Sequence, residues 1–435
     1  MNENKLYKET DNPVFLGKRL DLPAIRQDTF EQGIINRAKN TVFCYSAWPS
    51  VCRDDSGVLY ATSSAFGTAH VCPFSRYTMY ISRDEGKTWT PPTVISNGYL
   101  PQGHGGIISL GNGKLLANRF YHPGDVLYQE LYTRINDTMY GGSPNAFGIG
   151  LLRQAMVDLY PRLPVEEMIG GSYVMLSDDA GVTWSDQVRV PVWNVHGACL
   201  INDGTVMLVG KECYADPSGT RKAFNEGYFT RFHAKNWDSY VAHYSEMRMG
   251  KEFADVPIYA CVSADGGVTW EKRAMLSKPD SIEWGDAFEP YAITLPNGEI
   301  LCAIRVEKQI GFENDYTVYL TRSKDNGYTW SEWECTHIPG SPAHLLLHSS
   351  GALVCSVGLR MRTENGIYAY ISHDFGKTWE KKYELSLSDD SDLGYPMTVE
   401  LSDHRLLTVF YQHYVDPETG KKDGFPSILY TKWEL

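Results

Sequence analysis

The chain has 435 residues, of which 43% are hydrophobic and 13% aromatic, and it contains 39 glycines, a composition that favours a large β-rich protein with several small cores. Its formal net charge of −13 disfavours nucleic acid and anionic membranes as partners, although a local basic pocket is compatible with it. The chain contains no apolar run of about 18 residues and no basic-then-apolar leader at Met1, so we expect no membrane span, no secretory signal and a cytoplasmic protein.

An eight-residue frame, Ser-x-Asp-x-Gly-x-Thr-Trp, occurs five times, at 82–89, 177–184, 263–270, 323–330 and 372–379. Repeats at this spacing indicate an array of similar supersecondary units. The frame predicts a β-hairpin turn in which Asp accepts hydrogen bonds from backbone amides, Gly adopts a positive φ and Trp returns to cover the core. We therefore interpret these residues as determinants of the fold rather than as ligand contacts.

A second repeat consists of a short strand, a polar turn with glycine and a strongly apolar strand. It occurs six times, at 48–61, 104–117, 196–209, 289–303, 344–357 and 395–410, with His404 in place of the turn glycine in the last copy. Each copy predicts two strands of a four-stranded blade, in which the Ser-x-Asp frame joins the third strand to the fourth. The predicted fold class is therefore all-β, a six-bladed β-propeller formed by residues 1–435 as a single domain. The last predicted blade reaches the C-terminus with its third strand and lacks a fourth. We therefore expect an N-terminal strand near Pro13 to Leu20 or Thr41 to Tyr45 to supply it and close the ring.

Two long insertions interrupt the regular spacing. The first covers about 121–170 and contains a predicted amphipathic helix at Leu151 to Leu159; the second covers about 212–255 and is dense in Tyr, Phe, His and Arg. Loops of this length usually carry function or an interface. Lids over a substrate and contacts in a homo-oligomer are both open interpretations.

The six blades can be lined up on the turn between their first two strands. Nine residues before that turn stand Trp48, His104, Val195, Glu289, Pro342 and Tyr395, with His196 and His344 close to the same register. A basic set stands about seven residues after it and comprises Arg119, Lys211, Arg305 and Arg360. Inner strands line the funnel of a propeller, and guanidinium groups bind carboxylates bidentately, so this set predicts an anion site. Pairing with local acids such as Glu212 and Glu307 is the alternative.

These repeats resemble the Asp-box sialidase superfamily of six-bladed propellers over essentially the whole chain. In that family a Tyr nucleophile is activated by a Glu, an Asp is the acid/base and three Arg grip the substrate carboxylate. The segment Phe288-Glu289-Pro290, with the strand that ends at Arg305, resembles the family's Glu and second Arg. Gly394-Tyr395-Pro396 resembles the nucleophile segment. Arg362 resembles the third Arg, and Arg360 competes for that role.

Two diagnostic groups of the family are replaced. The first Arg is missing, since the matching stretch reads Ser46-Ala47-Trp48-Pro49. The acid/base Asp is also missing, because Ala65 to Tyr77 contains His70 but no carboxylate. Ordinary exo-sialidase activity is therefore not implied, and His70 and His104 become the acid/base candidates. The other candidates for substrate contact in the funnel are Trp48 and His196.

Three functions are compatible with these residues. The first is a sialidase-like hydrolase of an acidic or modified sugar, with Tyr395 as nucleophile and Glu289 as its base; keeping this pair in register favours it. The second is a uronate lyase, in which basic groups would neutralise the substrate carboxylate while Tyr or His removed the α-proton. The third is a carbohydrate-binding propeller without catalysis. We expect a carbohydrate partner and no cofactor. We also expect no metal, because His344 and His348 lie too far apart on one extended strand and lack a carboxylate cluster.

Overall fold

The computed structural model describes residues 19–39, 41–70, 72–100, 103, 105–121, 146–164, 167, 171–212, 256–310, 313–361 and 364–435. Within these ranges 26 β-strands form six sheets arranged as the blades of a propeller, so the predicted six-bladed β-propeller is confirmed. In each blade the sheet begins with a strand at the funnel and continues outward in chain order, except that N-terminal strands take the outermost place in the fifth and sixth blades.

Two short strands, β1 (Ala24–Ile25) and β2 (Glu31–Asn36), precede the first blade. The first blade contains β3 (Tyr45–Arg53), β4 (Leu59–Gly67), β5 (Arg76–Ser82) and β6 (Thr93–Ser96). The second contains β7 (Ile107–Gly111), β8 (Lys114–Tyr121), β9 (Gly171–Ser177) and β10 (Val188–Val190). The third contains β11 (Val192–Trp193), β12 (Cys199–Leu200), β13 (Val206–Glu212), β14 (Ile258–Ser263) and β15 (Glu271–Met275).

The last three blades follow the same order. The fourth contains β16 (Ala287–Thr294), β17 (Ile300–Ile310), β18 (Glu313–Ser323) and β19 (Glu334–Pro339). The fifth contains β20 (Ala343–Leu347), β21 (Leu353–Arg360), β22 (Asn365–Ser372) and β23 (Lys381–Ser388), and β1 joins its outer edge in parallel. The sixth contains β24 (Gly394–Glu400), β25 (Leu406–Val415) and β26 (Lys422–Trp433).

The outer strand of the sixth blade is β2, which pairs antiparallel with β26 and so closes the ring. The closing segments expected from the sequence differ from this strand: Tyr45 opens β3 of the first blade, and residues 13–18 lie outside the described part of the chain. Gly33 fixes the register of β2, because a Cβ there would stand 2.2 Å from the ring of Tyr430. The edge that the sixth sheet would otherwise expose is thereby covered.

The Ser-x-Asp frames form the predicted turns. In the first, Asp84 accepts the Thr88 hydroxyl at 2.6 Å, the Thr88 amide at 2.9 Å and the Ser82 hydroxyl at 2.8 Å. These bonds stabilise the carboxylate, with the Thr88 hydroxyl contributing most, and lower the pKa of Asp84 to about 2. Gly86 has a φ of 75°, as predicted. The same Asp-to-Thr bonds recur in the other four frames.

The frame glycines also allow neighbouring blades to approach. A Cβ on Gly86 would stand 2.5 Å from Leu407 in β25 of the sixth blade. Gly267 and Gly376 stand in the same relation to Leu116 and Leu320 of the blades before them, at 2.7 and 2.8 Å. Among the described residues, five of the buried apolar clusters are each drawn from two adjacent blades. A sixth cluster joins the sixth and first blades and also includes Phe120 and Trp193 of the second and third. The frames therefore stabilise the contacts between blades as well as the turns themselves.

The described part of the first insertion contains a helix, α1 (Ala146–Leu159), followed by a 3-10 turn at Tyr160–Arg162. The predicted helix is confirmed in kind but begins five residues earlier than Leu151. Tyr160 is fully buried and donates to the carbonyl of Tyr99 at 2.8 Å, which ties the end of α1 to the segment between the first two blades. Of the second insertion, residues 213–255 lie outside the described part. Among the described helices none has the length and apolarity to cross a bilayer.

Candidate active site

Three inner strands share one local distortion at the funnel. β3, β16 and β24 each shift register near their start, and the residues at the shift include Trp48, Glu289 and Tyr395, whose φ values are 54°, 45° and 51°. Each is followed by a proline, which has no amide hydrogen to place in the ladder. A bulge re-aims its side chain, and a left-handed residue with a Cβ costs about 1 kcal/mol or more. The same strained backbone therefore presents one functional side chain from each of three blades.

Tyr395 and Glu289 meet as the sequence predicts. The Tyr395 hydroxyl donates to Oε1 of Glu289 at 2.5 Å, and both residues are 5% exposed. Burial, followed by the negative charge of Glu289, raises the pKa of Tyr395 well above its usual value. The phenol is therefore protonated at neutral pH, and Glu289 is the group placed to accept its proton during an attack.

Arg305 has a different position from the one expected of a substrate clamp. Its Nη1 donates to Oε2 of Glu289 at 2.5 Å, and its Nε donates to Glu307 at 2.9 Å. Burial lowers the pKa of Arg305, but the two carboxylates outweigh it and hold that pKa well above the usual value. The alternative of pairing with a local acid is the arrangement found. Arg305 thus fixes one oxygen of Glu289 and leaves the other for Tyr395.

Arg360 is the basic group that lies open beside the nucleophile. Its guanidinium carbon is 5.9 Å from the centre of the Tyr395 ring and 5.3 Å from that of Tyr316. Its Nη2 donates to the carbonyl of Ser341 at 3.3 Å, and within the described ranges no carboxylate forms an ion pair with it. Its charge lowers the pKa of Tyr395, against the larger effect of burial. Arg362, the competing candidate, lies outside the described residues.

His70 belongs to a cluster that the sequence did not reveal. Its Nδ1 is 2.7 Å from the Tyr45 hydroxyl and 3.3 Å from Oδ1 of Asp392. The Tyr45 hydroxyl in turn lies 3.0 Å from both oxygens of Asp392. Burial raises the pKa of Asp392, but hydrogen bonding and charge from His70 and Tyr45 leave it below the usual value. Asp392 is therefore ionised at neutral pH and lies beside the His70 ring.

The hydrogen bonds of this cluster also assign the tautomer of His70. Because the single proton of the Tyr45 hydroxyl points to Asp392, the bond at Nδ1 must be donated by the imidazole. Nε2 is the other ring nitrogen, on a side chain that is 51% exposed. The His70 ring packs 4.9 Å from Trp48, which itself lies 6.2 Å from Tyr411, a neighbour of Tyr395. The His70 ring is thus connected to Tyr395 through the rings of Trp48 and Tyr411.

Asp392 is a carboxylate outside the first blade, where the resemblance implies the acid/base Asp. It stands only three residues before Tyr395, in the loop that enters β24. Proximity in sequence to the nucleophile was the available signal. The fold brings this loop to the end of β4, near which His70 lies.

Arg119 and Lys211 lie deeper than expected. Arg119 is 0% exposed and stacks on Tyr121 at 4.4 Å, and burial lowers its pKa to about 10. The ammonium group of Lys211 donates to the carbonyls of Trp284 and Ala287 at 2.8 and 3.0 Å. Neither side chain reaches the funnel as a substrate ligand. Alignment of the strands predicts the register of a side chain, but it does not predict how deeply that side chain is buried.

Two histidine candidates remain. His196 is 0% exposed and lies among the rings of Tyr291, His344 and Tyr395 at 5.6 to 6.2 Å. His104 lies outside the described residues, and its catalytic role stays a prediction. The expectation that His348 lacks a carboxylate partner is wrong, since Glu400 and His404 of the next blade approach it. That cluster lies at the other end of the blades.

Comparison with known proteins shows the family and the fold of the chain. A family model described as a BNR repeat-like domain matches residues 164–408, more than half of the chain, and a BNR/Asp-box repeat model matches residues 80–91. A sialidase of Clostridium perfringens is 29% identical over 136 residues, which cover 29% of this chain and 35% of that protein. The match thus spans about a third of the length of this curated relative.

Solved structures resemble the chain over almost all of its length. A protein of unknown function from Dyadobacter fermentans aligns with a TM-score of 0.62 at 20% identity, covering 95% of this chain and all of the other. A Hadza microbial sialidase aligns with a TM-score of 0.58 at 14% identity, covering 97% of this chain and 71% of the other. At these identities the likeness shows a shared fold, and the activity must be argued from the site.

Proposed function

The chain belongs to the BNR repeat-like domain family, and on that premise we propose that it is a sialidase-like glycoside hydrolase acting on an acidic or otherwise modified sugar of a small oligosaccharide. The observation that carries the proposal is the 2.5 Å hydrogen bond between Tyr395 and Glu289. A propeller that only binds sugars has no need of a buried carboxylate aimed at a buried phenol.

The residues support a two-step displacement. In the first step the Tyr395 oxygen bonds to the anomeric carbon as its proton passes to Glu289, and the glycosidic bond breaks as His70 protonates the leaving oxygen. In the second step water attacks the same carbon, gives a proton to His70 and releases Tyr395, which recovers its proton from Glu289. The configuration at the anomeric carbon is retained.

Arg305, Asp392 and Arg360 assist the residues that react. Arg305 holds Glu289 in place, and Asp392, with Tyr45, holds the His70 ring through hydrogen bonds. Arg360 provides a positive charge beside Tyr395 for an anionic substituent of the sugar. A phenol attacking a sugar that bears a negative charge also meets less repulsion than a carboxylate would.

A cavity of about 450 Å³ next to the His70 cluster suits the leaving group of the substrate. Its lining includes Arg37, Lys39, Asp423 and Phe425, and the Phe425 ring lies 6.3 Å from that of Tyr45. Charged groups of both signs and an aromatic ring are what a second sugar unit would contact.

The test is a screen of aryl glycosides of sialic, uronic and neutral sugars with the wild-type protein, Tyr395→Phe and Glu289→Gln. Release of the aryl alcohol that both substitutions abolish supports the proposal and identifies the sugar. An unsaturated product that absorbs in the ultraviolet would instead support a uronate lyase. Binding of an acidic oligosaccharide without turnover, unchanged by either substitution, would support the non-catalytic alternative.

A further inference from the structure

One turn of the propeller departs from a rule that the other blades follow. Between the first and second strands of a blade, five blades place a glycine with φ between 75° and 89°, namely Gly57, Gly113, Gly204, Gly298 and Gly351. The sixth blade places His404 there, with φ 64°. A residue with a Cβ is disfavoured in this conformation, so retention of histidine points to a task for its side chain.

The His404 side chain meets two groups that come from different blades. Its Nδ1 is 2.8 Å from Oε1 of Glu400, at the end of β24, and 3.0 Å from the hydroxyl of Ser349. His348, which follows β20 in the fifth blade, places Nε2 at 3.4 Å from the same Glu400 oxygen and 2.9 Å from the His404 carbonyl. One ligand atom from each of His348, Glu400 and His404 lies within 4.8 Å of the others.

These side chains are held in place by a second layer of hydrogen bonds. Glu400 accepts the amide of Ser349 at 2.8 Å and its hydroxyl at 2.5 Å. Nδ1 of His348 lies 2.8 Å from the hydroxyl of Ser350. Outer contacts of this kind orient the ligands of metal sites and fix the tautomers of their histidines. Exposure increases from His348, at 7%, to His404, at 71%, so an ion has an open path.

We propose that His348, Glu400 and His404 bind one divalent transition metal ion, with zinc as the best fit, and that the ion joins the fifth and sixth blades. Two imidazoles with one carboxylate are a ligand set that zinc accepts, whereas calcium and magnesium prefer oxygen ligands. Donor atoms about 2.1 Å from a tetrahedral ion stand about 3.4 Å apart, which is the observed separation between Nε2 of His348 and Oε1 of Glu400.

Binding requires only local changes. Nε2 of His348 gives up the proton that it now donates to the His404 carbonyl, and Nδ1 takes a proton, losing the bond of 3.2 Å that it accepts from the Ser350 amide and donating to the Ser350 hydroxyl instead. The exposed ring of His404 moves by about half an ångström away from Glu400, and water completes the coordination. Glu400 ends β24 whereas Tyr395 lies at its start, so the ion sits away from the glycosidase site and its role is structural.

The experiment compares the metal content and stability of the full chain with those of His404→Gly, which restores the glycine of the other five blades. Metal-free protein is dialysed against Zn²⁺ and titrated with Co²⁺, whose visible absorption reports tetrahedral coordination. We expect His404→Gly to bind one equivalent less than the wild type, to lack the Co²⁺ absorption of this site and to melt no earlier than the metal-free wild type. Zn²⁺ should raise the melting temperature of the wild type more than that of the variant.

The matched control is His373→Ala, because His373 is an exposed histidine 3.2 Å from Glu380 on the surface of the fifth blade. It should bind as much metal as the wild type. Equal binding of Zn²⁺ and Co²⁺ by the wild type and His404→Gly would overturn the proposal. Loss of one equivalent in Glu400→Gln, with the fold intact by circular dichroism, would support it independently.

Discussion

Tyr395 donates a hydrogen bond of 2.5 Å to Glu289, although the two residues stand 106 positions apart and belong to the sixth and fourth blades. Both have positive φ and both precede a proline at a bulge of an inner strand. The pair is therefore positioned by backbone that is constrained on both sides of the funnel. Preorganisation of this kind is what an attacking group and its base require.

The first prediction concerns the leaving group. If His70 protonates the departing oxygen, as proposed, His70→Asn should lower kcat/KM at least 10²-fold for alkyl glycosides but less than about tenfold for nitrophenyl glycosides, whose leaving groups need no proton. Steady-state kinetics with both substrates measures this. Asp392→Asn should give a smaller loss and shift the pH profile, since Asp392 acts through His70. Equal losses for both kinds of leaving group would contradict the assignment.

The second prediction separates the two arginines. Arg360→Gln should raise KM at least tenfold for an acidic glycoside and change it little for a neutral one, because Arg360 lies open beside Tyr395. Arg305→Gln should lower kcat for both, because it frees an oxygen of Glu289 from its ion pair. Steady-state measurement of kcat and KM for both variants, with one acidic and one neutral glycoside, distinguishes the two roles. An unchanged KM for the acidic glycoside in Arg360→Gln would rule Arg360 out as the clamp.

The third prediction tests the contact between blades at the Ser-x-Asp frame. Gly86→Ala should lower the free energy of unfolding by about 2–4 kcal/mol, combining the strained φ of 75° with a Cβ that would stand 2.5 Å from Leu407. Gly204→Ala is the control, since its φ is 79° and a Cβ there meets nothing within 4 Å. It should cost about 1 kcal/mol. Denaturant unfolding measures both, and equal losses would mean that Gly86 serves only the turn.

The fourth prediction concerns acid stability. Hydrogen bonds, led by that of the Thr88 hydroxyl, lower the pKa of Asp84 to about 2, from an unfolded value near 3.9. The resulting stabilisation is fully present above about pH 4 and is lost as the pH falls towards 2. Asp84→Asn should therefore show a shallower decline of melting temperature across this window than the wild type. Asp178→Asn, at a side chain that is 80% exposed, should decline like the wild type; a parallel decline in Asp84→Asn would refute the assignment.

The propeller was predictable from the sequence because its determinants are local. The hydrogen bonds that form each Ser-x-Asp turn lie within the frame itself, so five copies of the frame predict five turns. The closing strand was not predicted, because β2 pairs with a strand almost 400 residues away, where Gly33 packs against Tyr430. Within β2 itself the only apolar signal in the sequence is the pair Ile34-Ile35.

The sequence predicted those site residues whose position depends only on their register within an inner strand. Tyr395 and Glu289 share a position relative to the turn, and each is followed by proline. Arg119 and Lys211 share a register with Arg305, but whether such a side chain reaches the funnel depends on packing between blades. The grouping of His70 with Asp392 joins the first blade to the loop before the sixth, and no spacing in the chain encodes that contact.

The central claim is that Tyr395 forms a covalent bond to the sugar. The most direct measurement is mass spectrometry of the intact protein and its peptides after incubation with a fluorinated analogue of the sugar found in the screen, whose glycosyl-enzyme hydrolyses slowly. The account predicts one added glycosyl group on the peptide that contains Tyr395, formed more slowly in Glu289→Gln and absent in Tyr395→Phe. A substrate that the wild type hydrolyses while its analogue labels another residue, or an unlabelled enzyme that inverts the anomeric configuration, would contradict it.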